Sequence, residues 1–257
     1  MGAPEQYGDE LSREFKYIAT WPAQGEVSLG DVGVFQGREF EVNTTLTELG
    51  IGFVPHTEPA VADWGFASDG AVAIDGSGAG GVHGQGVGLK LSGQLRFTRE
   101  NAVFFRATAV VLHRVDNLDA LKQALVKCAS DGNWQADWRV VTHVAVAETF
   151  LLMLGGSGTT SAEVAIEGGP VPATAQDLAT GSAKVGLERA YGLSLSIDAG
   201  RATPFFQAYR INRTLGVGPL KASRVGAKGR LRPEPVREQP DEEQAIFDWE
   251  PHSFSEE

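Results

Sequence analysis

Hydrophobic and polar positions alternate with period two over much of this chain, the pattern of strands with one face buried. The cleanest run is 87–97, where Val87, Leu89, Leu91, Leu95 and Phe97 fall on one side and Lys90, Ser92, Gln94 and Arg96 on the other. Residues 64–74 alternate as well, with Trp64, Phe66, Val72 and Ile74 on one face, and the pattern predicts one strand there. Between the two lies GSGAGGVHGQG, a glycine-dominated connection that predicts a hairpin. Upstream, FKYIATWP (15–22) predicts a first strand stopped by Pro22, and VSLGDVGVFQGREFEV predicts short strands hinged at Gly30, Gly33 and Gly37. NTTLTELGI predicts a helical turn capped by Thr44 or Thr45 and closed by Gly50.

AVFFRATAVVLHRV (102–115) is apolar on both faces, as a central strand covered on both sides must be. Asn117 then opens the principal helix, 117–129, in which Leu118, Leu121, Leu125 and Cys128 form one stripe and Gly132 follows as the stop. VVTHVAVAETFLLML, GGSGT and TSAEVAI predict a β-hairpin turning on a glycine loop. Alternation resumes through Val185, Leu187, Tyr191, Leu193, Leu195 and Ile197, and TPFFQAYRI (203–211) predicts the last strand. The fold class expected is α+β: a mainly antiparallel, twisted β-sheet with one principal helix packed on it, plus a polar C-terminal tail.

After about residue 218 the composition changes, which divides the chain into a β-rich domain, 1–218, and a tail, 219–257. Lys221, Arg224, Lys228, Arg230, Arg232 and Arg237 make the first part of the tail basic, with Pro233 and Pro235 among them. From Glu238 onward every charged residue is acidic, yet Ile246, Phe247, Trp249 and Phe254 lie in this stretch. A basic, proline-containing linker followed by an acidic aromatic docking peptide fits this pattern, and so does a solubilising extension.

The net charge of −11 over 257 residues excludes a nucleic-acid surface, which requires clustered Lys and Arg. No run approaches 18 apolar residues, and the acidic MGAPEQYGDELSREFK start has no apolar signal core, so the expected location is the cytoplasm. With one cysteine, Cys128, the chain has no internal disulfide and no multi-cysteine metal site.

Candidate chemistry is sparse. GSGAGG (76–81) fits G-x-G-x-x-G, but the strand at 87–97 follows it where a dinucleotide site needs a helix N-terminus. His56, His83, His113, His143 and His252 show no metal-ligand spacing; His113 and His143, with Glu148 nearby, are the pair that two strands could bring together. GGSGT has Thr159 where a nucleophile elbow ends in Gly, and Cys128 sits on an apolar helix stripe. The expectation is a protein that is not an enzyme, with no cofactor, metal or catalytic residue. The runs 64–74 and 87–97 have the length a tilted strand needs to cross a bilayer, although the same alternation serves any sheet with one wet face.

Four stretches, YIATWP, LGDVGVFQGREFEVNTTLTELGI, WRVVTHVAVAETFLLMLGGSGTTSAEVAI and GLSLSIDAGRATPFFQAYRI, span roughly 17–211 and resemble bacterial gasdermin-like, peptidase-coupled pore-forming effectors of defence systems. The resemblance implies an inactive cytosolic form held by a short C-terminal segment, a partner protease that removes it, and insertion of β-hairpins into the inner face of the cell membrane as a self-oligomer. It implies no catalytic residue. The chain departs from those proteins in lacking their lipidated N-terminal cysteine.

On this reading Arg224, Lys228, Arg230, Arg232 and Arg237 are candidate cleavage points. Ile246, Phe247, Trp249 and Phe254 are the docking residues of the tail. Trp64, Phe66, Val72, Ile74, Val87, Leu89, Leu91, Leu95 and Phe97 are the membrane-insertion candidates. Two alternatives remain: a non-enzymatic adaptor or substrate of a peptidase-based system, and a small-ligand-binding β-barrel.

Overall fold

The computed structural model describes residues 2–23, 25–75, 90–168, 172–214 and 246–251. Helix α1 (Ala3–Phe15) leads into the short strands β1 (Ile18–Ala19), β2 (Asp31–Gln36) and β3 (Glu39–Thr45). Strands β4 (Pro55–Ala67), β5 (Val72–Asp75), β6 (Lys90–Phe97) and β7 (Val103–Val115) precede helix α2 (Leu118–Ser130). Then come β8 (Arg139–Ala147), β9 (Thr149–Leu154), β10 (Thr160–Glu167), the short helix α3 (Ala175–Thr180), β11 (Lys184–Tyr191), β12 (Leu195–Ala199), β13 (Ala202–Thr214) and β14 (Ile246–Pro251).

The strands form two antiparallel sheets. In the main sheet β7 pairs with β8 and β9 at one unbroken offset, from Arg114 opposite His143 to Val103 opposite Leu154. Strands β8 and β9 are therefore one long strand interrupted at Glu148. On its other side, β12 pairs with β9 and β13 with β8, the latter with two register shifts. Strand β4 flanks β7, the β2–β3 hairpin joins the end of β8, and both β1 and β14 lie on the outer edge of β13. The second sheet has four strands in the order β11-β10-β6-β5.

Both faces of the main sheet are covered, which is why FLLML (150–154) is apolar and buried at every position. Phe104, Leu151 and Met153 face the second sheet and pack with Leu95, Phe97, Val164 and Ile166. Val103, Phe105, Phe150, Leu152 and Leu154 face the other way, under α1, with Tyr7 and Leu11. At the far end α2 buries Leu121 and Leu125 against Val32, Val115 and Val140. The predicted turn forms at 46–50, after β3 takes up 43–45: Thr45 Oγ1 accepts from the amide of Glu48, and Gly50 closes it with φ +69°.

Five expectations need correction. The predicted strand 64–74 breaks at 68–71, so Trp64 and Phe66 pack in the α1 core whereas Val72 and Ile74 pack between the sheets. GGSGT does not close a hairpin, because β9 lies in the main sheet and β10 in the second. The 184–197 run likewise crosses between sheets at 192–194. FKYIATWP contributes a strand of two residues preceded by an amphipathic helix, whose apolar stripe Tyr7, Leu11 and Phe15 has the four-residue spacing of one helix face. Strand β13 is followed by β14, so 203–211 is not the last strand and part of the tail belongs to the main sheet.

Candidate functional site

The second sheet repeats the main sheet. Its order, β11-β10-β6-β5, matches the order of the strands that continue them, β12, β9, β7 and β4. Each pair is joined by a short connection, at 192–194, 155–159, 98–102 and 68–71. Four neighbouring strands thus run up the main sheet, bend, and lie back over it as two hairpins, β5–β6 and β10–β11.

The bends are bonded side by side into one line. Thr98 N–H donates to Ala71 O at 2.9 Å, Asn101 N–H to Gly155 O at 2.7 Å, and Ser194 N–H to Leu154 O at 3.0 Å. Gly156 permits this closeness: a Cβ there would overlap the carbonyl of Gly192. Glu10 of α1 fastens the first hairpin's bends, accepting from Ser68 Oγ and from Arg99 Nη2 at 2.6 Å. Ser68 Oγ in turn accepts from Val103 N–H at 2.7 Å.

The second hairpin is fastened through α3, which lies in the β10–β11 connection and reaches across to β4 and β7. The capping box of Thr174 and Asp177 defines its start. Ala67 N–H of β4 donates to Gln176 Oε1 at 2.8 Å. Gly65 lets the helix approach, since a Cβ at this position would overlap the carbonyl of Ala179. Arg106, 3% exposed, sends Nη1 to the carbonyls of Leu178 (2.7 Å) and Ala179 (3.0 Å) and Nη2 to that of Gly181 (2.6 Å). Burial lowers the Arg106 pKa, and Asp63 opposes that shift. A cleft of about 640 Å³ opens beside Arg106, between the β10–β11 hairpin and the main sheet, with Thr108, Thr149 and Lys184 on its walls.

Of the residues singled out from the sequence, Leu95, Phe97, Val72 and Ile74 meet in the layer between the sheets, and Trp64 and Phe66 lie on the opposite face of the main sheet. Leu91 is opposite Ile166 in the β6–β10 ladder. Val87 and Leu89 lie outside the described residues, as do Arg224, Lys228, Arg230, Arg232, Arg237 and Phe254. Ile246, Phe247 and Trp249 belong to β14, whose backbone pairs antiparallel with β13 from Thr214 opposite Ile246 to Tyr209 opposite Pro251. Thr214 and Ile246, which flank residues 215–245 in the sequence, are therefore paired with each other.

His113 and His143 do not converge. Arg114, not His113, is opposite His143, so the two imidazoles take opposite faces of the sheet. His113 Nδ1 is 2.9 Å from Thr57 Oγ1 and His143 Nδ1 is 3.0 Å from Thr142 Oγ1. Burial, then Arg114, lowers the His143 pKa. The thiol of Cys128 is raised by burial and by Asp131. Arg106 and the 155–159 bend are the parts that sequence reasoning missed; an arginine inside AVFFRATAVV was the available signal, because a buried charge needs dedicated partners.

Comparison of the chain with protein-family models, with curated proteins and with solved structures gave no match.

Proposed function

We propose that the chain is a latent membrane-permeabilising effector. Its two folded-back hairpins swing away from the main sheet after the tail is cut, and straighten into long amphipathic hairpins that enter a bilayer. The observation that carries this reading is the matched strand order of the two sheets across a single line of bends. Straightening preserves every strand neighbour and converts four bends into strand. The apolar face needed for lipid already exists: Val72, Leu95, Phe97, Val164 and Ile166 point inward, whereas Ala73, Ser92 and Arg96 of the same sheet are exposed. Backbone edges enter lipid only if hairpins of several copies close into a ring, so self-association is part of the reading.

Strand β14 supports the control step. It is held to β13 by backbone pairing and by the chain that joins them. A partner protease that cuts that chain, at one of the basic residues between 221 and 237, turns an intramolecular strand into a peptide free to leave. The released fragment beyond Arg237 carries acidic charge and no Lys or Arg, so the body becomes less negative and approaches an anionic leaflet more easily.

Dye-loaded anionic vesicles test this directly: protein cut between 221 and 237 releases dye, while uncut protein and isolated tail do not. In a Cys128→Ser background, an environment-sensitive probe at Ile74→Cys moves into lipid and one at the adjacent Ala73→Cys stays in water. Equal, negligible release from cut and uncut protein across lipid compositions rejects the membrane step and leaves the adaptor reading.

A further inference from the structure

Helix α3 belongs to the tip of the second hairpin, yet its contacts are with β4 and β7, on the far side of the sheet from β11 and β12. It therefore docks on the main sheet itself, with Ala175, Leu178 and Ala179 in the layer between the sheets, instead of extending the folded-back strands. Three fastenings keep it there, two of them sharing the Ala179 carbonyl. Gln176 takes up the Ala67 N–H of β4. Gly65 supplies the notch into which the Ala179 carbonyl fits. Arg106 closes around the end of the helix with three hydrogen bonds to carbonyls that a helix C-terminus leaves without partners.

We propose that α3 is a strap and the Arg106 fork its buckle, which together hold the second sheet closed and set the barrier to its opening after the tail is gone. The inference rests on the opening motion proposed above and adds a second restraint to it. The guanidinium is the suitable group for this task. Its rigid fork reaches Leu178, Ala179 and Gly181 together, which an ammonium cannot do with the same geometry. A buried cation without these carbonyls is unstable, so the buckle is either fully closed or open with Arg106 exposed to water.

The network also reaches into the main sheet. Asp63, 3.8 Å from Arg106 Nη2, accepts the Ala109 N–H through its other oxygen at 2.9 Å. Ala109 has φ +50°, a left-handed conformation unusual for alanine, and it lies beside the interruption of the long strand at Glu148. Release of Arg106 thus loosens the strap and removes the cation beside the carboxylate that holds Ala109.

The test compares full-length wild type, Arg106→Lys and the milder Thr174→Ala, which removes the α3 capping box at an exposed position. Amide hydrogen exchange is read on uncut protein without lipid, and vesicle dye release on the same proteins after tail cleavage. Amides of 175–191 in Arg106→Lys should exchange at least about tenfold faster, with β12 and β13 unchanged, and Thr174→Ala should move the same amides by a smaller factor. Cut variants should release dye faster than cut wild type in the same order. Unchanged exchange at 175–191 in both variants, or faster exchange spread evenly over β12 and β13, overturns the strap. Selective loosening of 175–191 with no dye release from any cut protein supports the strap as a closure device and rejects the membrane reading. If Arg106→Lys does not fold, Thr174→Ala decides by the same criteria.

Discussion

The two faces of the main sheet are buried against different materials. Under α1 the layer is aromatic: Tyr7, Phe105, Phe150 and Phe205 are buried, and Phe15, Tyr17, Trp21, Trp64 and Phe66 pack around them. Ring centroids of Phe105 and Phe205 are 5.2 Å apart, and Phe15 stacks on Trp64 at the same separation. Between the two sheets the layer is aliphatic: Leu95, Leu151, Met153, Val164, Ile166 and Leu178 are buried there among alanines, and the aromatic residues of that cluster are Phe97 and Phe104. Each large aromatic ring removes far more apolar area from water than an alanine, and ring pairs add further attraction. The inter-sheet face combines a less aromatic apolar layer with discrete polar fastenings, Glu10 on one hairpin and Arg106 on the other, and on the proposed motion it is the layer that parts.

Adjacent residues on β7 allow the sharpest attack on this contrast, since Phe104 and Phe105 are both fully buried and face opposite ways. Phe105→Ala should lower stability by about 4–5 kcal/mol and Phe104→Ala by about 3 kcal/mol, within the usual range for such truncations. Denaturant unfolding should show the Phe105 variant destabilised as a whole. Hydrogen exchange of the Phe104 variant should rise in β5, β6 and β10 before β12 and β13. Equal losses with equal exchange patterns would remove the distinction between the two faces.

A smaller effect is expected at the notch. Gly65→Ala should cost about 1–3 kcal/mol, because the new methyl meets the Ala179 backbone and no flexible side chain can yield. Proteolysis of the folded protein should then cut near α3 sooner, with the α1 end still protected. Trimming one methyl from the inter-sheet layer, Ile166→Val, should cost about 0.5–1.5 kcal/mol, read from the shift in denaturation midpoint.

The smallest effect concerns pH and the far end of the sheet. His143 has its folded pKa lowered below the ordinary 6.5, chiefly by burial and then by Arg114. The unfolded chain then binds the proton more readily, so this group's contribution is intact above the ordinary pKa and is lost as pH falls from there through the lowered value. His143→Gln should flatten that part of the stability–pH curve and leave strap exchange unaltered. A pH-dependent loosening of 175–191 that disappears in His143→Gln would instead couple the two ends of the sheet.

Much of the fold was legible before any coordinates. Period-two alternation located β6, β11 and β12, the apolar run 102–115 marked a strand buried on both faces, and the stripe of Leu121 and Leu125 marked α2. The alternation in 87–97 also assigned Leu95 and Phe97 to the apolar side, where both are buried. Helix α1 is harder to read: Tyr7, Leu11 and Phe15 are four apart, but the acidic residues between them mask the stripe.

What the sequence by itself determined was local: which residues of each strand face apolar surroundings, where the chain must turn, and the α+β class. Which sheet each strand joins was decided by the tertiary structure alone. Alternation is identical for a strand in either sheet, and a short glycine-containing segment such as GGSGT serves a reversal and a bend equally well. Pairing β9 with β7 and β12, while β10 goes to β6 and β11, depends on backbone hydrogen bonds between residues far apart in the chain. The role of Arg106 is of the same kind. Its charge is written in the sequence, but the three carbonyls that make its burial tolerable come from α3 and its C-cap Gly181, more than seventy residues away.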